Sequence, residues 1–531
     1  MNATRNTRRD LLRLATATAG ALWLLRSARS QPQLRFESNP FALGVASGSP
    51  THESVVLWTR LVQTGLFGSV ALGAASVTVR WEIADDENFL KVIESGQSKA
   101  MADLAHSVHV EVNGLAPDRW YFYRFMAGDA VSPVGRTRTF PAPDAPASRL
   151  RVAYASCQRW EHGYFSAWRH MRDDQPDVVL FLGDYIYEYA GASSAVRVPT
   201  GGVVLTLDDY RARYALHRSE PELQAMHAAC PWLVTWDDHE VQNDYAGLTP
   251  GNGGPAVADF AARRAAAYQA FYEHMPLRAS VLTRALAGLS SGAEMRIYGQ
   301  VPFGRLATLY LLDDRQYRDR QVCTRNDRFG SSLVNPERCD NWNDPQRTLL
   351  GAAQEQWLDR AFAQAAGGAT WNVVGQQTLF GRRDFRPGPG VTLWNDGWDG
   401  YEAARGRLTA SLQRHRLANP VLLGGDVHEN WVGHVKADYE RPDSAALGVE
   451  FCGTSISSRA SPAENFASLL AENPHFVFAD NTRKGYGVVD FTPTRLTTTL
   501  RVVDDVTRRD TRIETLARFA VQAGRAVIER A

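Results

Sequence analysis

Two hydrophobic rhythms divide this chain. Between Phe41 and Phe140 apolar and polar residues alternate: Val77, Val79, Trp81 and Ile83 are separated by Thr78, Arg80 and Glu82, and Val108, Val110 and Val112 by His109 and Glu111. Successive side chains of a strand point to opposite faces, so this period predicts half-buried antiparallel strands. A turn at Gly114 to Pro117 ahead of the aromatic run Trp120 to Phe125 adds a further strand, which suits a β-sandwich of about 100 residues. After Ser148 the rhythm changes to short unbroken runs: Val152 to Tyr154, Val178 to Leu182, Trp232 to Trp236, Leu306 to Leu312, Asn372 to Val374 and Val421 to Leu423. Such runs fit strands covered on both faces, as in α/β proteins. The stretch Ala256 to His274, closed by Pro276, predicts a helix. The tail from Arg512 to Ala531 sets Ile513, Leu516, Phe519, Val527 and Ile528 among charged residues and predicts an amphipathic helix, packed on the sheet or lying as a lid. The Pro/Ala-rich segment Pro141 to Ser148 reads as an extended spacer, which gives a β domain over 31–143 and a second domain over 149–531.

Residues 1–30 have a different character. Thr7-Arg8-Arg9-Asp10-Leu11-Leu12 is a twin-arginine head, an apolar stretch runs from Leu14 to Leu25, and Ala28 and Ser30 flank Arg29 as in a cleavage site before Gln31. The apolar stretch is shorter than the ~20 residues that span a bilayer. The prediction is a signal peptide read by the twin-arginine export machinery, a periplasmic or secreted location, and no transmembrane segment in the mature protein. With 58 Lys+Arg against 58 Asp+Glu in 531 residues, no global basic field recruits nucleic acid, so an anionic substrate must be captured locally. Five cysteines are too few for a disulfide framework. Cys323 and Cys339, in a polar stretch, are candidates for one bridge, and Cys230 and Cys452, beside apolar runs, for buried thiols.

The chemistry gathers where the buried runs end. They lead into Cys157, Gly183-Asp184, Asp237-Asp238-His239, Asp313-Asp314-Arg315, Gly375-Gln376-Gln377 and Gly424-Gly425-Asp426-Val427-His428. Sheets of α/β proteins place their sites at the carboxyl ends of strands. Asp184 and Tyr187 stand three apart, and Asp426 and His428 two apart, side by side if the backbone there is extended. One acid after a strand is as often a helix cap as a ligand. Several in this order on one scaffold predict a shared site.

Taken together, Phe41 to Pro50 with Leu57-Trp58-Thr59-Arg60, Ala155-Ser156-Cys157-Gln158, Leu182-Gly183-Asp184-Tyr185-Ile186-Tyr187-Glu188, Thr235-Trp236-Asp237-Asp238-His239-Glu240, Leu312-Asp313-Asp314-Arg315-Gln316-Tyr317-Arg318 and Gly425-Asp426-Val427-His428-Glu429-Asn430-Trp431 resemble the PhoD-like alkaline phosphatases, a calcium- and iron-dependent metallophosphoesterase family. The resemblance implies an α/β fold, a four-layer metallophosphoesterase-type sandwich preceded by a fibronectin-like antiparallel β-sandwich. It implies an exported alkaline phosphatase or phosphodiesterase that hydrolyses small-molecule or lipid-derived phosphate esters by a metal-bound hydroxide at an iron–calcium site.

Ordinary dinuclear phosphoesterases open with Asp-x-His and close with Gly-His-x-His, whereas this chain resembles a variant with Cys157 at the first position and Asp426 in place of the first His of the last. Cys157, Asp184, Tyr187 and His428 offer thiolate, carboxylate, phenolate and imidazole, which suit Fe3+. Asp184 as a bridge, Asp238 and Asp426 offer oxygens suited to Ca2+. Asn243 completes that shell or holds a second calcium, and Gln376 or Gln377 stands where other members have a ligand His. His239 is the candidate to protonate the leaving alkoxide or hydrogen-bond the phosphoryl group, and Arg315 the candidate phosphate clamp, its alternative being an ion pair with Asp313 or Asp314. Three other readings compete: a phospholipase D-type phosphodiesterase on the same scaffold, a thiol hydrolase using Cys157 and His428, and a non-enzymatic calcium-binding exported protein.

Overall fold

A computed structural model describes residues 35–531 apart from 63–74, 193, 200, 253, 283–293, 325–328, 366, 442 and 460–465. The expected signal peptide and its cleavage point lie outside the described residues. The unbroken apolar runs form parallel strands in two sheets. In a ten-stranded sheet Leu150–Ala155, Val178–Leu182 and Trp232–Thr235 lie side by side. In a seven-stranded sheet Ala307–Leu311, Trp371–Gly375, Pro420–Gly424 and Ala446–Cys452 do the same.

Alternation along each strand decides what each face meets. Val178, Leu180 and Leu182 pack with Leu309, Val373 and Leu423 in a core between the sheets. Val179 and Phe181 point the other way and pack with Trp168, Tyr214, Met226 and Phe271 of the helices Ser166–Asp173, Leu207–Arg218, Pro221–Ala229 and Phe260–His274. On the far side, Tyr310, Val374 and Leu422 meet Leu358 and Phe362 of the helix Ala352–Gln364 and Leu408 and Leu412 of Glu402–Arg414. The result is the expected four-layer order of helix, sheet, sheet, helix. Both strand faces are dry, which is why the runs are unbroken, and each such side chain contributes roughly 1.5–3 kcal/mol.

The alternating region folds as two antiparallel sheets around a shared core. Val79, Trp81 and Ile83 of Val77–Ala84 face Val55, Leu57, Val108, Val110 and Val112 of Val55–Arg60 and Ser107–Val112. One of these sheets runs on into the α/β region. Val45–Gly48, Val55–Arg60 and Ser107–Val112 continue the ten-stranded sheet, because Gly48 pairs in parallel with Trp232.

Three local expectations are corrected. The tail forms antiparallel strands, Ile513–Gln522 on Arg495–Val503 and then Glu529–Arg530, rather than a helix. Opposite Leu500 and Arg501 the register slips, so Ala517 and Thr515 pair while Leu516 is the extra residue. That bulge breaks the alternation of Ala517, Phe519 and Val521 and makes the spacing resemble a helical one. The segment Pro141 to Ser148 is a turn closed by Ala145 N on Ala142 O at 2.9 Å, with Arg305 N on Ala145 O at 2.9 Å, rather than a free extended spacer. The predicted helix starts later, at Phe260, because Asp259 accepts from Ala262 N at 2.9 Å and caps it. Cys323 and Cys339 are bridged with Cα atoms 5.9 Å apart, while Cys230 and Cys452 are buried free thiols. Among the described residues no helix is long and apolar enough to cross a membrane.

Candidate functional site

Four of the sequence-predicted ligands leave their strands in a left-handed conformation: Cys157 at φ +59°, Asp184 at +59°, Asp426 at +64° and His428 at +58°. Non-glycine residues hold such angles at a cost of order 1–3 kcal/mol, and functional sites are where that cost is met by surrounding contacts. The expectation that Asp426 and His428 project from extended backbone is corrected by this geometry, with Val427 N turned onto Gly425 O at 2.7 Å. Gly183, at φ +104°, must be glycine, since a Cβ there would sit 2.4 Å from Asp237 Cβ. Glu240 then ties the two loops together by accepting from the amides of Asp184 at 3.1 Å, Tyr185 at 2.6 Å and Asp237 at 2.8 Å.

These turns bring distant residues to one place. Cys157, Asp184 and His428 each offer a donor atom within 4.8 Å of the other two. The Tyr187 hydroxyl donates to Asp184 Oδ2 at 2.7 Å and lies 3.1 Å from His428 Nε2, so all four expected iron-type donors converge. Asp184, Asp238 and His239 form a second such group, with Asp184 common to both, and Asp238, Asp244 and Asp396 a third. Asp396 already pairs with Arg315 Nη1 at 2.7 Å and with Arg318 and Gln321, so that last pocket is a salt-bridge knot.

The other predicted residues have different surroundings. His239 Nδ1 lies 2.7 Å from Glu188 Oε2, its ring 4.1 Å from that of Tyr187, which leaves Nε2 for the Asp184–Asp238 group. Arg315 is fully buried and pairs with Asp237 and Asp396, with Asp238 at 3.8 Å and Asp426 at 3.9 Å. Its fork is occupied by protein carboxylates, and these are not the Asp313 or Asp314 side chains expected as its alternative partners. Asn243 turns its side-chain amide to Asn252 at 2.6 Å, and Asn252 in turn donates to Asp244. Gln377 donates to Thr235 Oγ1 at 2.7 Å, Trp236 O at 2.8 Å and Leu312 O at 3.1 Å, stitching the two sheets together beneath the site. Gln376 is spent on Thr378 and on Trp398 Nε1 at 3.1 Å.

Burial and mutual repulsion shape the electrostatics. Burial, then the Asp184 charge, push the Cys157 thiol up, and burial pushes Asp184 itself up against the pull of His239. Burial and Asp237 likewise raise Asp426, while burial lifts Asp237 to about 6. Asp238 goes the other way, since Arg315 and His239 outweigh its burial. Burial would lower His239, but Asp238, Glu188 and Asp184 together raise it. Burial and Lys484 bring His428 down to about 3. Asp184 Oδ1, Asp238 Oδ1 and Asp426 Oδ2 are buried with no hydrogen-bond donor. Buried carboxylate oxygens require a counter-charge, and this donor set fits cations.

Sequence reasoning did not single out several residues that build the site. Glu188, Asp237 and Glu240 lay within the quoted motifs, and Asp244 stands in the same polar segment. Ser458, whose Oγ lies 2.8 Å from both Cys157 O and Tyr187 Oη, and Asp396 come after no unbroken apolar run in the sequence, so no local signal marks them.

Carboxylates, an imidazole and a thiol are grouped at the strand ends of a four-layer α/β sandwich, and similarity to known proteins makes the chain a phosphoric ester hydrolase. A family model described as PhoD-like phosphatase matches residues 152–500, and one described as PhoD-like phosphatase, N-terminal domain, matches 26–141. The chain belongs to the PhoD-like phosphatase family. It is 44% identical over 495 residues to alkaline phosphatase D of Bacillus subtilis (strain 168), covering 92% of this chain and 82% of that one. A solved structure of PhoD superposes with a TM-score of 0.86 at 42% identity, covering 94% of this chain and 93% of that one.

Proposed function

We propose that this phosphatase holds Fe3+ between Cys157, Asp184, Tyr187 and His428, and Ca2+ between Asp184, Asp238 and Asp426. The observation that carries this reading is Asp184, which groups with Cys157 and His428 on one side and with Asp238 and His239 on the other and has one buried oxygen without a donor, while Asp426 lies 3.9 Å from the same Arg315 Nη2 that is 3.8 Å from Asp238. Thiolate, phenolate and imidazole suit a ferric ion, and carboxylate oxygens alone suit calcium. Bound there, the ions supply positive charge to phosphoryl oxygens and make a water molecule acidic enough to act near neutral pH.

The protein's own groups do the rest. His239, oriented by Glu188 at Nδ1, is placed to hydrogen-bond the phosphoryl group and give a proton to the leaving alkoxide. Arg315 acts through Asp237 and Asp396 as a positioning residue. Asn243 takes part through its loop, its amide N donating to Glu188 Oε1 at 2.8 Å. In this reading the β-sandwich spans 31–143 and the catalytic domain 149–531, and the twin-arginine segment directs export to the periplasm or the medium. Elemental analysis of the purified mature protein, with hydrolysis of matched phosphate mono- and diesters and of a phosphatidylcholine, tests it. Iron and calcium together with chelator-sensitive hydrolysis are expected. Full activity without metal would overturn it, and preferential release of the lipid headgroup would favour the phospholipase-type alternative.

A further inference from the structure

Outside the acidic donor groups the mouth of the site is basic. Arg159 stands two residues after Cys157 and is fixed there by its backbone: its N–H donates to Ser458 Oγ at 3.0 Å and its carbonyl accepts from Ser457 Oγ at 2.9 Å. Its guanidinium carbon lies 5.5 Å from the ring centre of Tyr187 and 4.8 Å from that of Tyr189. The same Ser457–Arg459 segment reaches His428, whose Nδ1 lies 3.2 Å from Arg459 O. From the other side Lys484 Nζ donates to His428 O at 2.7 Å. Two cations, Arg159 and Lys484, thus flank the outer edges of Tyr187 and His428.

The acids nearby offset them only in part. Glu429 is engaged by Arg383 at 2.7 Å and Trp431 Nε1 at 2.8 Å. Glu161 is 1% exposed and lies 3.8 Å from both Arg159 Nε and Arg213 Nη1, too far for a hydrogen bond to either. Arg159 Nε is buried without a hydrogen-bond partner, and the side chain keeps 19% of its surface at the mouth. A guanidinium has five N–H donors in a planar fork suited to oxyanions. Here it lies over two aromatic faces with one loose ion pair, and its Nε is left without a hydrogen-bond partner.

Resting on the phosphoesterase reading of the neighbouring donor groups, we infer that Arg159 determines specificity by gripping a second anionic group on the ester. The enzyme therefore prefers phosphate esters whose alcohol portion carries a carboxylate or a further phosphate. Lys484 supplies the neighbouring positive charge, while Arg159 supplies the directional contact.

The test compares kcat/KM for two matched pairs. One is 3-phosphoglycerate against glycerol 3-phosphate, monitored by release of inorganic phosphate. The other is the p-nitrophenyl ester of thymidine 5′-phosphate with and without a 3′-phosphate, monitored by release of p-nitrophenol. Wild-type enzyme is expected to favour the more anionic member of at least one pair by about tenfold, the worth of one charge-assisted hydrogen bond. The pair that responds tells whether a carboxylate or a phosphate is the group gripped. The preference should shrink in high salt as the charges are screened. Arg159→Ala should bring the ratio near one with kcat/KM for the less anionic member within about threefold, and Arg159→Lys should restore part of the preference. A ratio is insensitive to partial loss of folded enzyme. An unchanged ratio in Arg159→Ala, or no preference in the wild type, overturns the inference while leaving the phosphoesterase reading intact. Failure of the wild type to hydrolyse any of the four overturns both.

Discussion

Glu188 Oε2 sits 2.7 Å from Nδ1 of His239, while its other oxygen accepts the amide of Asn243 at 2.8 Å. One buried carboxylate therefore sets both the orientation of the proton donor and the start of the loop behind it. Glu188→Gln should lower kcat by about 10- to 100-fold with little change in KM, the scale seen when a group that orients a functional imidazole is lost. His239→Ala should cost about 10²–10⁴ in kcat. The double variant should be no worse than His239→Ala alone, because the two act as a unit. Additive losses in steady-state kinetics would show that Glu188 works independently.

Tyr187 and Cys157 contribute donors that calcium does not seek. Tyr187→Phe and Cys157→Ser should each lose iron, and any ferric–phenolate or ferric–thiolate absorption with it, when metal content is measured on purified protein. Chelation with EDTA should abolish hydrolysis, with calcium restoring most of it. Wild-type iron content in both variants would remove these residues from the metal site.

Arg315 is 1% exposed and surrounded by Asp237, Asp238, Asp396 and Asp426. Removing one partner of a buried pair leaves uncompensated charge, at a cost of roughly 3–5 kcal/mol. Arg315→Met should therefore lower the denaturant midpoint of the protein as well as its activity. A variant of unchanged stability with only a raised KM would instead mark Arg315 as a direct phosphate clamp.

Glu450, away from the donor groups, accepts from Phe380 N at 2.6 Å and Gly381 N at 2.8 Å, and burial holds its carboxyl up from 4.5 to about 7. The folded state then binds this proton more tightly than the unfolded chain. The stabilisation is full below pH 4.5 and is lost as pH rises through about 7, an effect of at most about 3 kcal/mol. Glu450→Gln should flatten the fall in stability between about pH 5 and pH 8, measured by urea unfolding. Parallel curves for the two proteins would show that the carboxyl is not the source.

Much of this was legible along the chain, for reasons that differ by element. Val178 to Leu182 is dry on both faces, and a doubly buried strand has to be apolar throughout, so composition alone marked it. Cys157, Asp184, Asp238, Asp426 and His428 were found because each comes just after such a strand. The tail reads as a helix in sequence because pairing with Arg495–Val503 and the bulge at Leu516 are not local properties.

The order of buried runs, the alternating β region and the ligand types were settled by the sequence itself, since solvent exclusion acts on each residue where it stands. Tertiary structure alone decided the rest. Left-handed turns aim the ligands, Asp396 and not Asp313 pairs with the Arg315 guanidinium, Ser458 reaches Tyr187, and Arg159 comes to rest over two tyrosine rings. Those contacts join residues far apart in the chain, and the free energy of such a contact depends on what the folded protein brings opposite, which no single segment encodes.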